Sequence, residues 1–446
     1  ITYCLISSLL LAAGASLQAN GTSFFPIYDE ANSGAWQGID YDGDPWVFNV
    51  SRPYFVTAGL QNRHLSLWAS HGRYYYADRD VWKWQRPNLF CTNEDLFTQT
   101  IVVPYLIPML QNAGAIVFTP RERDWQTNEI VIDNDDAVKS VYYFEKEASK
   151  RWKKCDSLGF ANRYRLKDGE NPFRMGTVRQ AKATKRKKTS QVSYQPRFKE
   201  AGKYAVYVSY QSLPKSVSDA KYIVYHKGEA TEFSVNQRMG GGTWVYLGTF
   251  DFDKGCNEFN RVVCTNKASR RGVVTTDAVR FGGGMGNIER GGYTSGLPRC
   301  LEGARYYAQW AGAPYKVYGG RKGENDYADD INTRSLMTNW LGGGSVYMPA
   351  KNGKHVPIEL SLALHSDAGY NKDGKSTFGS LAICTTDYND GILNSGISRF
   401  TSKDFARALR DNLVTDLTAQ FGEFGKRYLW DRNYSETRLP EVPSAI

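Results

Sequence analysis

The spacing of apolar and polar positions changes twice along the chain, and the changes divide it into segments. Residues 63–72, RHLSLWASHG, read as a buried strand with a polar exit. A helical stretch follows over 91–115, CTNEDLFTQTIVVPYLIPMLQNAGA, where Thr92 and Asp95 make a capping-box start and Gly114 a stop. Pro104 and Pro108 predict that this helix is kinked or divided. AIVFTPRERD then reads as strand plus loop, and strand, helix, strand opens a parallel α/β sheet. From about 137 to 286 the texture is different. Short alternating strands such as GKYAVYVSYQS, AKYIVYHKG, ATEFSVNQ and GTWVYLGTFDF recur every ten or so residues between glycine-rich turns, which predicts an all-β sandwich. Helical patterns return at CLEGARYYAQWAG and NDYADDINTRSLMTNWL. A buried strand, IELSLALHSDAG, and an amphipathic helix, SKDFARALRDNLVTDLTAQFG, complete the series.

The economical arrangement is an α/β fold with a mostly parallel sheet and flanking helices, interrupted by the all-β sandwich, because loop tips tolerate insertions. Its expected boundaries are 1–19 for an export signal, 20–136 for the first part of the α/β domain, 137–286 for the insert and 287–446 for the second part. A length of 446 residues agrees with more than one core. The aromatic content of 14%, with 29 Tyr and 11 Trp, suits β-rich and carbohydrate-facing surfaces.

Charge and the N-terminus add a location and a class of partner. ITYCLISSLLLAAGASLQAN has an apolar run followed by small residues, the pattern of a secretory signal cut after Ala19, although it lacks an initiating Met and a basic start. No later apolar run is long enough to span a membrane, so an exported protein is expected, whether periplasmic, cell-surface or secreted. Six cysteines follow the signal: Cys91, Cys155, Cys256, Cys264, Cys300 and Cys384. They could pair in fifteen ways, Cys256 with Cys264 across a hairpin among them. The net charge of +10 favours anionic partners. Much of it sits in one tract, RQAKATKRKKTS (179–190), which reads as a solvated basic loop, and no nucleic-acid partner is expected.

Candidate chemistry gathers at two strand ends. His71 closes one apolar strand, His365 closes another, and Glu94 lies in the first turn of the intervening helix. Two imidazoles and one carboxylate are the ligand set of a zinc ion that keeps a fourth position open for water. Spacing alone leaves alternatives: a His-Gly turn, a first-turn acid favoured by the helix dipole, and a buried histidine bonded to backbone.

SLWASHG with Glu94 downstream, then TPRERD, NDYADDINTR and LALHSDAG, together resemble the motif order of zinc-dependent N-acetylmuramoyl-L-alanine amidases of the amidase-3 type. That resemblance implies that His71, Glu94 and His365 hold Zn2+, that Asn325, Asp326 and Arg334 lie on a family helix, and that the exported protein hydrolyses peptidoglycan. The first turn departs from the family's acidic DPGHGG. The resemblance also implies a catalytic glutamate beyond Ile446, since Glu441 precedes the Val442–Pro443 pair it should follow; no catalytic residue is therefore assigned. Residues 137–285, with GGGTWVYLGTFDFDKG and VVTTDAVRFGGG, resemble the golvesin C-terminal-like sandwich also found in proteins labelled xanthan lyases.

Arg121 and Asp367 are candidate substrate-binding residues, Arg121 through a fork suited to a stem carboxylate. Ser366 and Asp367 could instead orient His365 or form a plain turn, and Arg121 and Arg123 could pair with Asp124. Asp329 and Asp330 carry no expected catalytic work, and Trp244 suits the sandwich core or, if exposed, a sugar ring. The alternatives to a hydrolase are a polysaccharide-binding or adhesive protein with an idle amidase-like domain, and a polysaccharide lyase. The lyase would need a proton-abstracting cluster that the sequence does not display.

Overall fold

The computed structural model describes residues 36–446 apart from 58, 90, 136–141, 149, 367–368, 370–371 and 374–377. Residues 1–19, expected to be an export signal, therefore lie outside the described residues, as does Asp367.

Four strands form a parallel sheet in the order Ser444–Ala445, Ile358–Leu364, His64–Ala69, Ile116–Phe118. Parallel neighbours need a crossover, and the helical run between His64–Ala69 and Ile116–Phe118 supplies one. Its prolines act as expected: Val102–Leu106 winds as a π-helix before Ile107–Asn112 returns to α geometry. The cap differs by one residue from the sequence reading, because the Asn93 side chain, not Thr92, accepts from the Leu96 amide. Helix Asp326–Gly342 packs on this sheet, and Thr338 and Ser66 share a hydroxyl hydrogen bond of 2.7 Å. Leu65, Leu67, Val102, Leu106, Leu110, Val117, Leu360, Leu362 and Phe405 fill the core between sheet and helices. Each such side chain contributes roughly 1.5–3 kcal/mol on burial.

The expected mostly parallel sheet is corrected by the pairing of the other strands. Besides this sheet and the parallel pair Ser380–Cys384 with Lys426–Asp431, the sheets of six, four, three and two strands are antiparallel throughout. The molecule is a mixed α/β structure dominated by antiparallel sheets. Short turns fold a strand back beside its predecessor in two of the described pairs, whereas the others join strands distant in the chain, such as Gln191–Gln195 with Arg261–Thr265. Strands Ala220–His226 and Glu229–Val235 show the short turn, joined through Lys227 and Gly228 at φ 48° and 84°. The antiparallel system also takes in Val47–Asn49, beside Glu229–Val235, and Ile130–Ile132, beside Val279–Phe281.

Inward positions of the six- and four-stranded sheets make a second core of Val192, Tyr194, Tyr204, Val206, Tyr222, Val224, Phe233, Val262 and Phe281. Trp244 belongs to the interior, against Phe160, Phe173 and Trp310. The six described cysteines are free thiols, so Cys256 and Cys264 are not bridged. Cys264 points into the core, and burial pushes its thiol up to about 12.

Candidate metal centre

Parallel strands end at the same sheet edge, and this places the site. Leu364 pairs with Ala69, so His365 and His71 emerge side by side, their ring centroids 4.8 Å apart. The short helix Glu94–Phe97 then brings in Glu94. Ligand atoms of His71, Glu94 and His365 all lie within 4.8 Å of one another. The three form a candidate metal-ligand cluster.

Local backbone explains the precision of the His71 turn. Arg73 donates to the Leu301 carbonyl at 2.8 Å and Gly303 donates to the Arg73 carbonyl at 2.9 Å, clamping the turn to residues 301–303. Only glycine fits between them, because a Cβ on Gly72 would sit 2.4 Å from the Glu302 carbonyl.

The surrounding polar groups orient the rings. His71 Nδ1 lies 3.1 Å from Asp95 Oδ1, and the other Asp95 oxygen accepts from the Gln85 amide at 2.7 Å. A carboxylate fixed on Nδ1 sets the tautomer that leaves Nε2 as a lone-pair donor. Burial, reinforced by the charges of Arg334 and His365, holds the His71 pKa far below its ordinary value, so the ring is neutral. His365 is the opposite case. Burial disfavours its charged form, but Glu436 at 2.9 Å from Nε2 and Glu94 at 2.8 Å from Nδ1 carry its pKa up to about 9. Glu436 also accepts from Trp68 Nε1 at 2.6 Å and Arg334 Nη1 at 2.7 Å; despite burial, the charges of Arg334 and His365 depress its pKa strongly.

The donor set fits a divalent ion in chemistry: two imidazoles, one carboxylate and an excess of nearby acid. Glu94 faces the guanidinium of Arg86 at 3.5 Å and Glu436 that of Arg334 at 2.7 Å, while Asp95 faces His71. His71, Glu94 and His365 would hold a dication, whose charge would replace that of the His365 proton.

Two residues at the centre were not assigned roles from sequence. Asp95 had a visible signal, standing beside Glu94 in one helical turn, but was assigned to capping. Glu436 has none, because it comes from the four-residue helix Ser435–Arg438, distant in sequence from both histidines.

Arg121, the candidate substrate contact, lies in the interior. Its guanidinium is buried and donates to the main-chain carbonyls of Cys300 at 3.2 Å, Glu302 at 3.3 Å and Ala69 at 3.5 Å. Burial lowers its pKa to about 10. It ties the strand end to the 300–302 loop. Neither Arg121 nor Arg123 pairs with Asp124; the Arg123 guanidinium lies 4.2 Å from the Tyr246 ring centroid, and Asp124 accepts from the Ala205 amide at 2.8 Å. Asp329 and Asp330 are buried acceptors, from the Arg321 and Arg305 amides.

Comparison with known proteins bears on the β-rich part. The family model for the Golvesin C-terminal domain matches residues 168–283. A xanthan lyase of Bacillus sp. (strain GL1) is 34% identical over 97 residues, which are 21% of this chain and 10% of that protein. The solved Paenibacillus xanthan lyase superposes with a TM-score of 0.27 at 22% identity, over 34% of this chain and 13% of its own. The family 11 carbohydrate-binding module of Clostridium thermocellum Lic26A-Cel5E gives 0.21 at 11% identity, over 37% and 98%. The chain thus spans about a tenth of the curated relative it matches. These findings overturn the expected peptidoglycan amidase, for the detected kinship lies with a golvesin-type domain and a xanthan lyase. The amidase resemblance rested on a few short strand-end motifs, and three candidate ligands that share a sheet edge name no substrate.

Proposed function

We propose that this is an exported polysaccharide-binding protein whose insert, residues 137–286, carries the glycan-binding surface. The observation that carries this reading is the outer face of the six-stranded sheet. Its register sets Tyr142 beside Gln195, Arg261 beside Tyr225, and Phe144 beside Ser193. Tyr142 and Phe144 are 44% and 42% exposed, whereas Tyr143, between them, turns inward to Tyr194. The Arg261 guanidinium lies 4.9 Å from the Tyr225 ring centroid. Flat rings interleaved with amide and guanidinium donors suit stacking on sugar rings and bonding to their hydroxyls. The golvesin match and the xanthan lyase relative support a polysaccharide as the partner.

The cluster of His71, Glu94 and His365 is then a metal site of the α/β part, and zinc is the ion that two imidazoles and a carboxylate suit best. Affinity electrophoresis through gels containing single polysaccharides, peptidoglycan fragments included, tests the reading. Retardation that survives EDTA is expected. Unretarded migration in every gel contradicts it, and so does release of unsaturated uronates, which would indicate a lyase.

A further inference from the structure

The basic tract noted in the sequence is not an isolated loop in the fold. Three loops meet at one pole of the antiparallel unit, pinned by two side chains. Ser190 Oγ accepts from the amides of Ala148 at 3.0 Å and Lys150 at 3.2 Å. Asn266 Oδ1 accepts from the Ser190 amide at 2.9 Å, and its Nδ2 donates to the Lys182 carbonyl at 3.0 Å. Backbone bonds between Thr184 and both Asn266 and Ala268 complete the junction.

This arrangement collects cations from three separate stretches of sequence. Lys150 and Arg151 come from the first loop. Lys182, Lys185, Arg186, Lys187 and Lys188 come from the second, and Lys267, Arg270 and Arg271 from the third, all exposed. Of these, Arg151 alone is ion-paired among the described residues, with Glu147 at 3.1 Å. Like charges held on interlocked loops repel one another, a cost that a polyanion relieves.

The pole is continuous with the aromatic face. Lys146 pairs with Gln191, the first residue after the basic loop, and follows Phe144 on the same side of its strand. Two residues of strand separate Phe144 from Lys146, about 7 Å, so a chain stacked on Tyr142 and Phe144 runs directly into the cationic loops.

We infer that the convergence of Ala148, Lys150 and Arg151 with loops 182–190 and 266–271 beside the Tyr142–Phe144 face makes the bound polysaccharide an acidic one, its carboxylates held by the basic pole. This rests on the polysaccharide-binding reading and names its ligand class. An acidic glycan is favoured over nucleic acid because the pole opens onto a sheet face bearing spaced single rings and amides.

The test uses the full chain and two variants, K185Q/R186Q/K187Q/K188Q and R270Q/R271Q, whose changes lie on exposed loop side chains, with thermal unfolding as the check on folding. Binding to a polyuronate, a neutral β-glucan and a duplex DNA is measured by titration calorimetry at about 50 mM and about 300 mM NaCl, across which the screening length shortens by a factor of about 2.5. The polyuronate is expected to bind, to weaken about tenfold or more in the higher salt, and to weaken about tenfold in each variant. The neutral glucan should bind more weakly and respond to neither change. Equal binding of both glycans, indifferent to salt and to the variants, overturns the inference while leaving polysaccharide binding intact. Binding of DNA alone, or of none of the three, overturns both.

Discussion

Asp95 shows how much a single side chain can decide at the metal centre. Its carboxylate fixes His71 through Nδ1, so Asp95→Asn should weaken divalent-metal affinity about 10–100-fold, as losses of such supporting carboxylates do. Metal content after dialysis against a competing chelator measures this, with His365→Ala as the variant that loses the ion outright. Retention of full affinity by Asp95→Asn would show that the ring needs no orienting partner. Glu302 makes a different residue-scale prediction. Burial raises its pKa from 4.5 to about 7, against the opposing pull of Ser295 and Arg299. A carboxyl with a raised folded pKa contributes stability fully below about pH 4.5 and loses it as pH rises through about 7, up to about 3 kcal/mol. Glu302→Gln should therefore flatten the stability profile between those pH values, as read by urea unfolding. At this scale the sequence disclosed the two histidines and Glu94, because strand ends mark themselves by an apolar run meeting polar residues. Glu436 was hidden, since a four-residue helix carries no periodicity.

Element packing joins the α/β part to the antiparallel sheets through buried charge. Arg280, on strand Val279–Phe281, meets Glu122, in the loop after Ile116–Phe118, at 2.6 Å with both side chains 0% exposed. Tyr207 lies beneath the guanidinium, 3.8 Å from its carbon to the ring centroid, and also hydrogen-bonds Glu122. Arg280→Ala leaves that carboxylate buried without its main cation, and a loss of about 3–5 kcal/mol is expected. The double variant Arg280→Met/Glu122→Gln should recover most of it, because both charges disappear while the amide oxygen still accepts from Tyr207 and the Arg123 and Asp124 amides. Chemical denaturation of the three proteins decides between this and a purely steric role, in which the double variant would be no better than the single one. Strand and helix positions in both parts were legible from periodicity. The direction of pairing was not: a buried strand reads as apolar whether its neighbour runs parallel or antiparallel. Most antiparallel neighbours, such as Gln191–Gln195 and Arg261–Thr265, are distant in the chain, so no local pattern carries the direction.

On the scale of the whole molecule, two surfaces carry separate chemistry. The parallel edge offers nitrogen and oxygen ligands to a cation, and the outer antiparallel face offers rings and cations to a glycan. No helix among the described residues is long and apolar enough to cross a membrane. Charge balance in the sequence indicated anionic partners, and Lys185 to Lys188 of the basic tract are solvent-exposed, but its junction with two other loops through Ser190 and Asn266 has no signal in the sequence. The central claim is that the antiparallel unit binds polysaccharide through its outer face. Calorimetric titration of a soluble polysaccharide into the full chain and into Tyr142→Ala/Phe144→Ala tests it most directly. Saturable binding by the full chain, reduced about tenfold or more by losing two stacking rings worth about 1 kcal/mol each, is the predicted result. Binding of equal strength by the double variant, with its fold intact, would contradict the account.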